Sequence, residues 1–127
     1  MSTDTLSPPS VIDTAAGLSI YWEDLPAGTR YNTSSRTITE ADVAAFAALT
    51  GDMNRLHVDA EYAKASVHGQ RIAHGMLVAS FMAGLTSRSI PNQLMEGALF
   101  GVLENTVKFP KATYIGDTIR VDIEVVE

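Results

Sequence analysis

The segment Gly75–Ser87 constrains the fold of this chain more than any other stretch, because it is apolar on almost every side. A helix without a clean polar face is normally a buried one. Further along, residues 99–109 and 119–125 alternate apolar and polar side chains with the period of two that is typical of half-buried strands. The sequence therefore predicts an α+β fold in which a β-sheet wraps around one apolar helix.

Local signals predict the remaining elements. Residues 29–38 are rich in β-prone side chains, and we predict that part of this segment is a strand. Thr39, followed by acidic residues, has the features of a helix N-cap, and Gly51 is a plausible end for that helix. Asp59 predicts the start of a short helix that reaches Ser66. Residues 1–17 are predicted to be a loose arm, and residues 18–127 to be the folded domain.

Composition excludes several classes of function. The chain has 127 residues, enough for one domain, and a formal net charge of −6 with nine scattered Lys and Arg, so we expect no nucleic-acid partner. It has no cysteine, which excludes disulfides, thiolate catalysis and thiolate metal sites. Met1–Asp4 lacks the features of a signal peptide, and no apolar run is long enough to span a bilayer. We expect a cytoplasmic protein with no membrane partner, and one stabilised by association with a second copy.

The segment Gly51–His57 is the first candidate for chemistry. It sets the carboxylate of Asp52, the amide of Asn54 and the imidazole of His57 close together at a helix end. Five positions separate Asp52 from His57, so the two side chains converge only if the backbone turns between them. Such a pair offers general acid/base catalysis. The plainer alternative is that Asp52 only caps or turns the chain and His57 is a structural histidine.

The second candidate is His74-Gly75, at the start of the apolar helix. The first N–H groups of a helix lack intrahelical partners and lie at the positive end of its dipole. Glycine lets a ligand approach the backbone, so Gly75 could hold a carbonyl oxygen that becomes negative, as in an oxyanion hole. Alternatively, Gly75 only permits close packing of the helix on the sheet. We expect His74 to support the site rather than to react.

A metal site is the competing interpretation of Asp52, His57, His68 and His74, because histidines and a carboxylate can hold zinc or iron. The chain has neither an H-E-x-x-H motif nor two histidines four residues apart, so we expect no metal. Nucleotide-binding glycine motifs and the serine-hydrolase elbow are also absent from the sequence.

The chain resembles the MaoC-like dehydratases, or R-specific enoyl-CoA hydratases. The resemblance rests on Gly51–His57, with Ala63 six residues further on, and on Arg71–Leu77 at its offset. It covers roughly residues 25–126, which is most of the chain.

This resemblance implies a hot dog fold, in which a curved antiparallel sheet surrounds a long helix that starts near Gly75, and a homodimer or higher homo-oligomer. It implies reversible hydration of trans-2-enoyl thioesters, of CoA or a carrier protein, to R-3-hydroxyacyl thioesters. Asp52 and His57 would activate water and protonate the α carbon, Gly75 would hold the thioester oxygen, and Asn54 would fix the loop. No cofactor is implied.

Further residues are expected to contribute to this site. Ser80 and His74 are expected to support it. Arg55 stands where the family usually has proline, and could reach a CoA phosphate. Met76 is a candidate to line the substrate pocket, although methionine at such spacing is more often core. Family domains usually continue for two more strands beyond the position of Glu127, so we expect the sheet to be short at its C-terminal end or to be completed by another subunit. A non-catalytic acyl-thioester-binding or scaffold module is the first alternative, and a thioesterase the second.

Overall fold

The computed structural model describes residues 19–127, and the predicted arm at residues 1–17 lies outside them. The described chain runs through β1 (Arg30–Asn32), β2 (Arg36–Thr37), α1 (Glu40–Thr50), α2 (Arg55–Val58), α3 (Ala60–Lys64), α4 (Gly75–Ser87), α5 (Ile90–Met95), β3 (Thr118–Ile119) and β4 (Asp122–Glu124). One-turn 3₁₀ helices lie at Trp22–Asp24 and Glu96–Ala98. Helices and short strands together make an α+β architecture, as predicted.

The strands form two antiparallel pairs. β1 pairs with β4, with Tyr31 opposite Ile123, and β2 pairs with β3, with Thr37 opposite Thr118. The segment 29–38, of which part was predicted to be a strand, contains two short strands, and the predicted strand 119–125 is likewise divided in two. Thr33 explains the division, because its hydroxyl, rather than a main-chain carbonyl, accepts the Val121 N–H at 3.0 Å.

The expected strand at residues 99–109 is wrong. The structure has no strand there, and the side chains of Phe100 and Leu103 are fully exposed. A period of two makes a strand only where a neighbouring strand accepts its backbone hydrogen bonds. No such neighbour lies beside 99–109 within residues 19–127.

Helix α1 begins and ends at the predicted residues. The Thr39 hydroxyl accepts the Asp42 N–H at 3.1 Å, and the Asp42 carboxylate accepts the Thr39 N–H at 2.9 Å. This backbone hydrogen bond, assisted by Arg36, holds the pKa of the Asp42 carboxyl below its usual value. Gly51 ends the helix in the left-handed region, at φ 78°.

Helix α4 spans the predicted apolar segment, and one of its faces forms the core. Leu77 packs with Ile38, Val43 and Ala73, and the half-buried Val78, Phe81, Ile115 and Ile119 pack against this cluster. Its other face is open, since Met76 is 59% and Met82 41% exposed. Of the side chains that cover the buried side of α4, only Ile119 belongs to a strand, so the described strands do not wrap this helix.

Three short helices differ from expectation, and the first of them, α2, was not predicted. Asp59 does cap α3, since its carboxylate accepts the Tyr62 N–H at 2.9 Å, but the helix ends at Lys64 rather than Ser66. Helix α5 was not predicted, although its N-cap Ser89 and an early Pro91 are start signals. No helix of the described part is both long and apolar enough to cross a membrane.

Candidate active site

The loop between α1 and α2 folds back on itself and presents Asp52. The Thr50 hydroxyl accepts the Asp52 N–H at 3.2 Å, and one carboxylate oxygen of Asp52 accepts the Asn54 N–H at 3.4 Å. Asn54 then caps α2, because its side-chain oxygen accepts the Leu56 N–H at 3.0 Å. The backbone therefore makes the tight turn that Asp52 and His57 need in order to converge. The Asp52 carboxylate remains exposed.

Helix α2 directs the half-buried ring of His57 toward the segment before α4. Its Nδ1 lies 2.8 Å from the main-chain oxygen of Ile72. A carbonyl oxygen only accepts, so Nδ1 carries the proton and donates it. In the neutral form of the ring, this hydrogen bond leaves Nε2 unprotonated, and Nε2 can then take a proton from water.

His74 lies in the centre of the cluster, 2% exposed. Its Nε2 donates to the main-chain oxygen of Asp52 at 3.0 Å, which ties the loop between α1 and α2 to the start of α4. Its ring stacks on that of His57, with ring centroids 3.8 Å apart and an angle of 27° between the planes. The Phe46 ring packs against His74 at a tilt, with ring centroids 4.9 Å apart. The supporting role expected for His74 thus has a concrete geometry, in packing and in one hydrogen bond.

The predicted carboxylate and imidazole do meet. One oxygen of Asp52 and one ring nitrogen each of His57 and His74 lie within 4.8 Å of one another. The main chain holds this arrangement, because Ile72 donates its N–H to Leu56 and Ala73 donates to Thr113. An exposed carboxylate beside a half-buried imidazole with a free nitrogen can exchange protons with a water molecule.

Gly75 opens α4 immediately after this cluster. Its N–H makes no hydrogen bond to another residue of the described chain, as expected for the first position of a helix. A Cβ on Gly75 would lie 3.2 Å from three carbons at the tip of the Phe109 ring. Gly75 also borders a pocket of about 290 Å³, with Phe109, Val78 and Lys111 among its other walls. The missing side chain therefore leaves room for the Phe109 ring beside the start of α4.

The remaining predicted residues lie nearby without joining the cluster. The Arg55 guanidinium stacks 4.2 Å above the Tyr62 ring, on the exposed side of α2. The Ser80 hydroxyl donates to the main-chain oxygen of Met76 at 2.7 Å, within its own helix. Met76 is exposed on the first turn of α4. His68 is not part of the cluster, but it lines the pocket beside Gly75.

Sequence reasoning missed the partners that orient the imidazoles. The Ile72 carbonyl and the Phe46 ring have no chemical signature in the sequence, and only the fold brings them to His57 and His74. Phe109 was assigned to a strand, yet it lies over Gly75. The proximity of Phe109 to Gly75 is a tertiary contact with no local signal.

Comparison with known proteins identifies the family of this chain. A family model described as the MaoC-like domain matches residues 24–127. An (R)-specific enoyl-CoA hydratase of Rhodospirillum rubrum is 35% identical over 105 residues, which are 83% of this chain and 69% of the relative. A 3-hydroxybutyryl-CoA dehydratase of Methylorubrum extorquens is 32% identical over 108 residues, 85% of this chain and 65% of the relative.

A solved structure supports the same family assignment. The (R)-hydratase of Aeromonas caviae, described as involved in PHA biosynthesis, superposes with a TM-score of 0.68 at 32% identity, covering 83% of this chain and 75% of the other. The chain spans about two thirds of the length of the curated relatives that it matches. These relatives are hydro-lyases by name. The family match, the relatives and the superposition together establish that this chain belongs to the MaoC-like domain family and has an α+β hot dog fold.

Proposed function

We propose that this protein hydrates trans-2-enoyl thioesters, with CoA as the favoured carrier, to R-3-hydroxyacyl thioesters, and catalyses the reverse dehydration. The observation that carries the proposal is the convergence of the Asp52 carboxylate and the His57 imidazole beside a free helix N-terminus. The names of the relatives supply the substrate class and the R configuration.

The first step of the proposed reaction is binding of the substrate carbonyl. The thioester oxygen accepts the N–H of Gly75 at the positive end of α4, where negative charge is stabilised. Conjugation through the thioester then makes the β carbon electrophilic. Glycine suits this position, because a Cβ there would lie only 3.2 Å from the Phe109 ring.

The second step is addition of water. Asp52 and the free Nε2 of His57 bind a water molecule and take one of its protons as its oxygen bonds to the β carbon. The double-bond electrons move onto the thioester oxygen as an enolate, which Gly75 stabilises. The acid/base pair returns the proton to the α carbon, so that one water is added and the protein is regenerated. This mechanism requires no metal or redox cofactor.

The other predicted residues have secondary roles in this proposal. Asn54 caps α2 and so fixes the turn that carries Asp52. His74 holds the Asp52 main chain and supports the His57 ring. Ser80 supports the first turn of α4 through Met76. We propose that Arg55, on the exposed side of α2, reaches a phosphate of the carrier, and that Met76 lines the substrate channel.

We further propose that two copies of the chain associate. The side chains of Phe100, Val102 and Leu103, close together in the chain, are exposed, and this supports association because an exposed apolar patch typically marks an interaction surface. Light scattering at micromolar concentration should give twice the chain mass or a multiple of it, and a monomeric mass would refute association.

Loss of enoyl absorbance from crotonyl-CoA tests the proposed reaction, with product configuration assigned by a stereospecific dehydrogenase. Folded protein that turns over no short or medium enoyl-CoA would refute it. A binding or scaffold module, favoured by the unpaired segment 99–109, predicts heat of acyl-CoA binding without turnover. A thioesterase, which no contact in the site favours, would release free thiol.

A further inference from the structure

We propose that Tyr62 is a positioning residue that holds the Arg55 guanidinium ready for a phosphate of the substrate carrier, so that this stacked pair selects thioesters with a phosphorylated carrier. The inference rests on the proposed function for the identity of the substrate. The observation that carries it is the stack itself, in which the guanidinium carbon of Arg55 lies 4.2 Å from the centre of the Tyr62 ring.

Arg55 differs from most arginines of the chain, because it has no carboxylate partner. Four arginines form ion pairs with carboxylates, namely Arg30, Arg36, Arg71 and Arg120. Within residues 19–127 the other two, Arg55 and Arg88, form none. Arg88 is the C-cap of α4, a helix of 13 residues, so it lies about 20 Å from Gly75. Arg55 is therefore the arginine near the candidate site that is available to an anionic ligand.

The capping of α3 explains why Arg55 is unpaired. Asp59 lies four residues after Arg55, which is the spacing at which a helical ion pair forms. Its carboxylate instead accepts the Tyr62 N–H at 2.9 Å, and it forms no ion pair with Arg55. The same cap places Tyr62 in the first turn of α3, where its ring meets the guanidinium.

A guanidinium stacked on an aromatic ring suits a phosphate. The stack covers one face of the group and leaves the N–H donors at its edge, where they match two phosphate oxygens. Because the ring restricts the guanidinium of Arg55 before the ligand arrives, less conformational entropy is lost on binding. Tyr62 thus contributes to affinity without contacting the substrate.

The position of Arg55 and the charge of the chain give the pair a role. The formal net charge is −6, so a carrier with several phosphates needs a local cation in order to bind. Arg55 is exposed and precedes His57 by two residues on α2, whereas the half-buried His57 ring faces Ile72. The pantetheine arm of a thioester held at the acid/base pair would run outward over α2, with its phosphate at Arg55.

The test compares the crotonyl thioesters of CoA, of phosphopantetheine and of pantetheine, which has no phosphate. Arg55→Ala should raise KM for crotonyl-CoA about tenfold, and should change KM for crotonyl-pantetheine less than about twofold. Tyr62→Leu should raise KM for crotonyl-CoA about threefold, whereas Tyr62→Phe keeps the ring and should match the wild type. Arg88→Ala is the matched control, because Arg88 is also unpaired among the described residues but lies far from the site.

The phosphopantetheine thioester identifies which phosphate is bound. An effect of Arg55→Ala on both phosphorylated thioesters assigns the contact to the phosphate at the end of the arm, which CoA and carrier proteins share. An effect on crotonyl-CoA alone assigns it to a phosphate of the nucleotide. Equal effects on crotonyl-CoA and crotonyl-pantetheine would overturn the proposal, as would a Tyr62→Leu variant with the wild-type KM for crotonyl-CoA.

Calorimetric binding of free CoA separates this inference from the proposed function. The wild type should bind CoA more tightly than pantetheine, and Arg55→Ala should lose most of that difference, whether or not any thioester is hydrated. This pattern of binding without turnover would refute the proposed function alone. Turnover with CoA binding that is independent of Arg55 would refute only this inference.

Discussion

Replacing Gly75 by proline tests the oxyanion role of its N–H with little damage to the fold. Proline has no N–H, and it is favoured at the first position of a helix, where that group lacks an intrahelical partner anyway. Gly75 occupies this position in α4. The preceding residue must be extended, and His74 already is, with φ −60° and ψ 137°.

Gly75→Ala is the matched control, because it keeps the N–H and adds the same Cβ. That atom would lie 3.2 Å from the tip of the Phe109 ring, a few tenths of an ångström too close. Phe109 is 51% exposed and can move away. We expect the free energies of unfolding of the two variants to differ by about 1 kcal/mol or less, because alanine and proline are both well tolerated at the first position of a helix.

The difference in activity between these variants measures the contribution of the Gly75 N–H to catalysis. Loss of one oxyanion donor costs about 10²–10³ in kcat, or about 2.7–4 kcal/mol. Gly75→Pro should therefore be slower than Gly75→Ala by about that factor in crotonyl-CoA hydration, at similar stability in urea denaturation. Equal rates for the two variants would refute the oxyanion role of Gly75.

Three further predictions concern the first helix and its cap. Thr39→Ala removes the hydroxyl that accepts the Asp42 N–H, and should lower the free energy of unfolding by about 1 kcal/mol in urea denaturation without changing kcat; unchanged stability would contradict the capping box. Folding lowers the pKa of the Asp42 carboxyl, so the ionised carboxylate stabilises the fold fully above the ordinary pKa of 3.8, and this stabilisation is lost as pH falls through the folded pKa. Asp42→Asn should therefore have a lower free energy of unfolding than the wild type at pH 7, and the difference between the two should narrow towards pH 2. Gly51→Ala places a side chain at φ 78°, and should cost about 1 kcal/mol in the same assay, whereas a more stable variant would argue against the left-handed cap.

Elements governed by local chemistry could be predicted from the sequence. The bounds of α4 and the caps at Thr39, Gly51 and Asp59 follow from residues within one turn of the helix end, and the structure confirms them. Their physics is local, because a cap satisfies backbone groups with side chains a few positions away.

The strands could be predicted less well, because pairing depends on residues far apart in the chain. The alternation at 99–109 is as clear as that at 119–125, yet only the latter contains strands in the structure. The division of β1 from β2 depends on the Thr33 hydroxyl meeting Val121, which are 88 positions apart. No pattern within either segment contains this contact.

In the candidate site too, features set by neighbouring residues could be predicted and tertiary contacts could not. Convergence of Asp52 and His57 followed from the turn-forming residues between them, and the structure brings the two together. The stacking of His74 on His57 and the contact of Phe109 with Gly75 could not be foreseen, since both join segments separated in the sequence. Ser80 was expected to support the site directly, but its hydroxyl bonds within α4.

Hydration of crotonyl-CoA by Asp52→Asn tests the central claim most directly. This change keeps the shape of the side chain and removes its charge and basicity. Asp59→Asn is the matched control, because Asp59 caps α3 and asparagine caps a helix as well as aspartate does. The account predicts that Asp52→Asn loses about 10²–10⁴ in kcat with unchanged thermal stability, while Asp59→Asn stays near the wild-type rate. A folded Asp52→Asn variant with wild-type turnover would contradict the assignment of Asp52 and His57 as the acid/base pair.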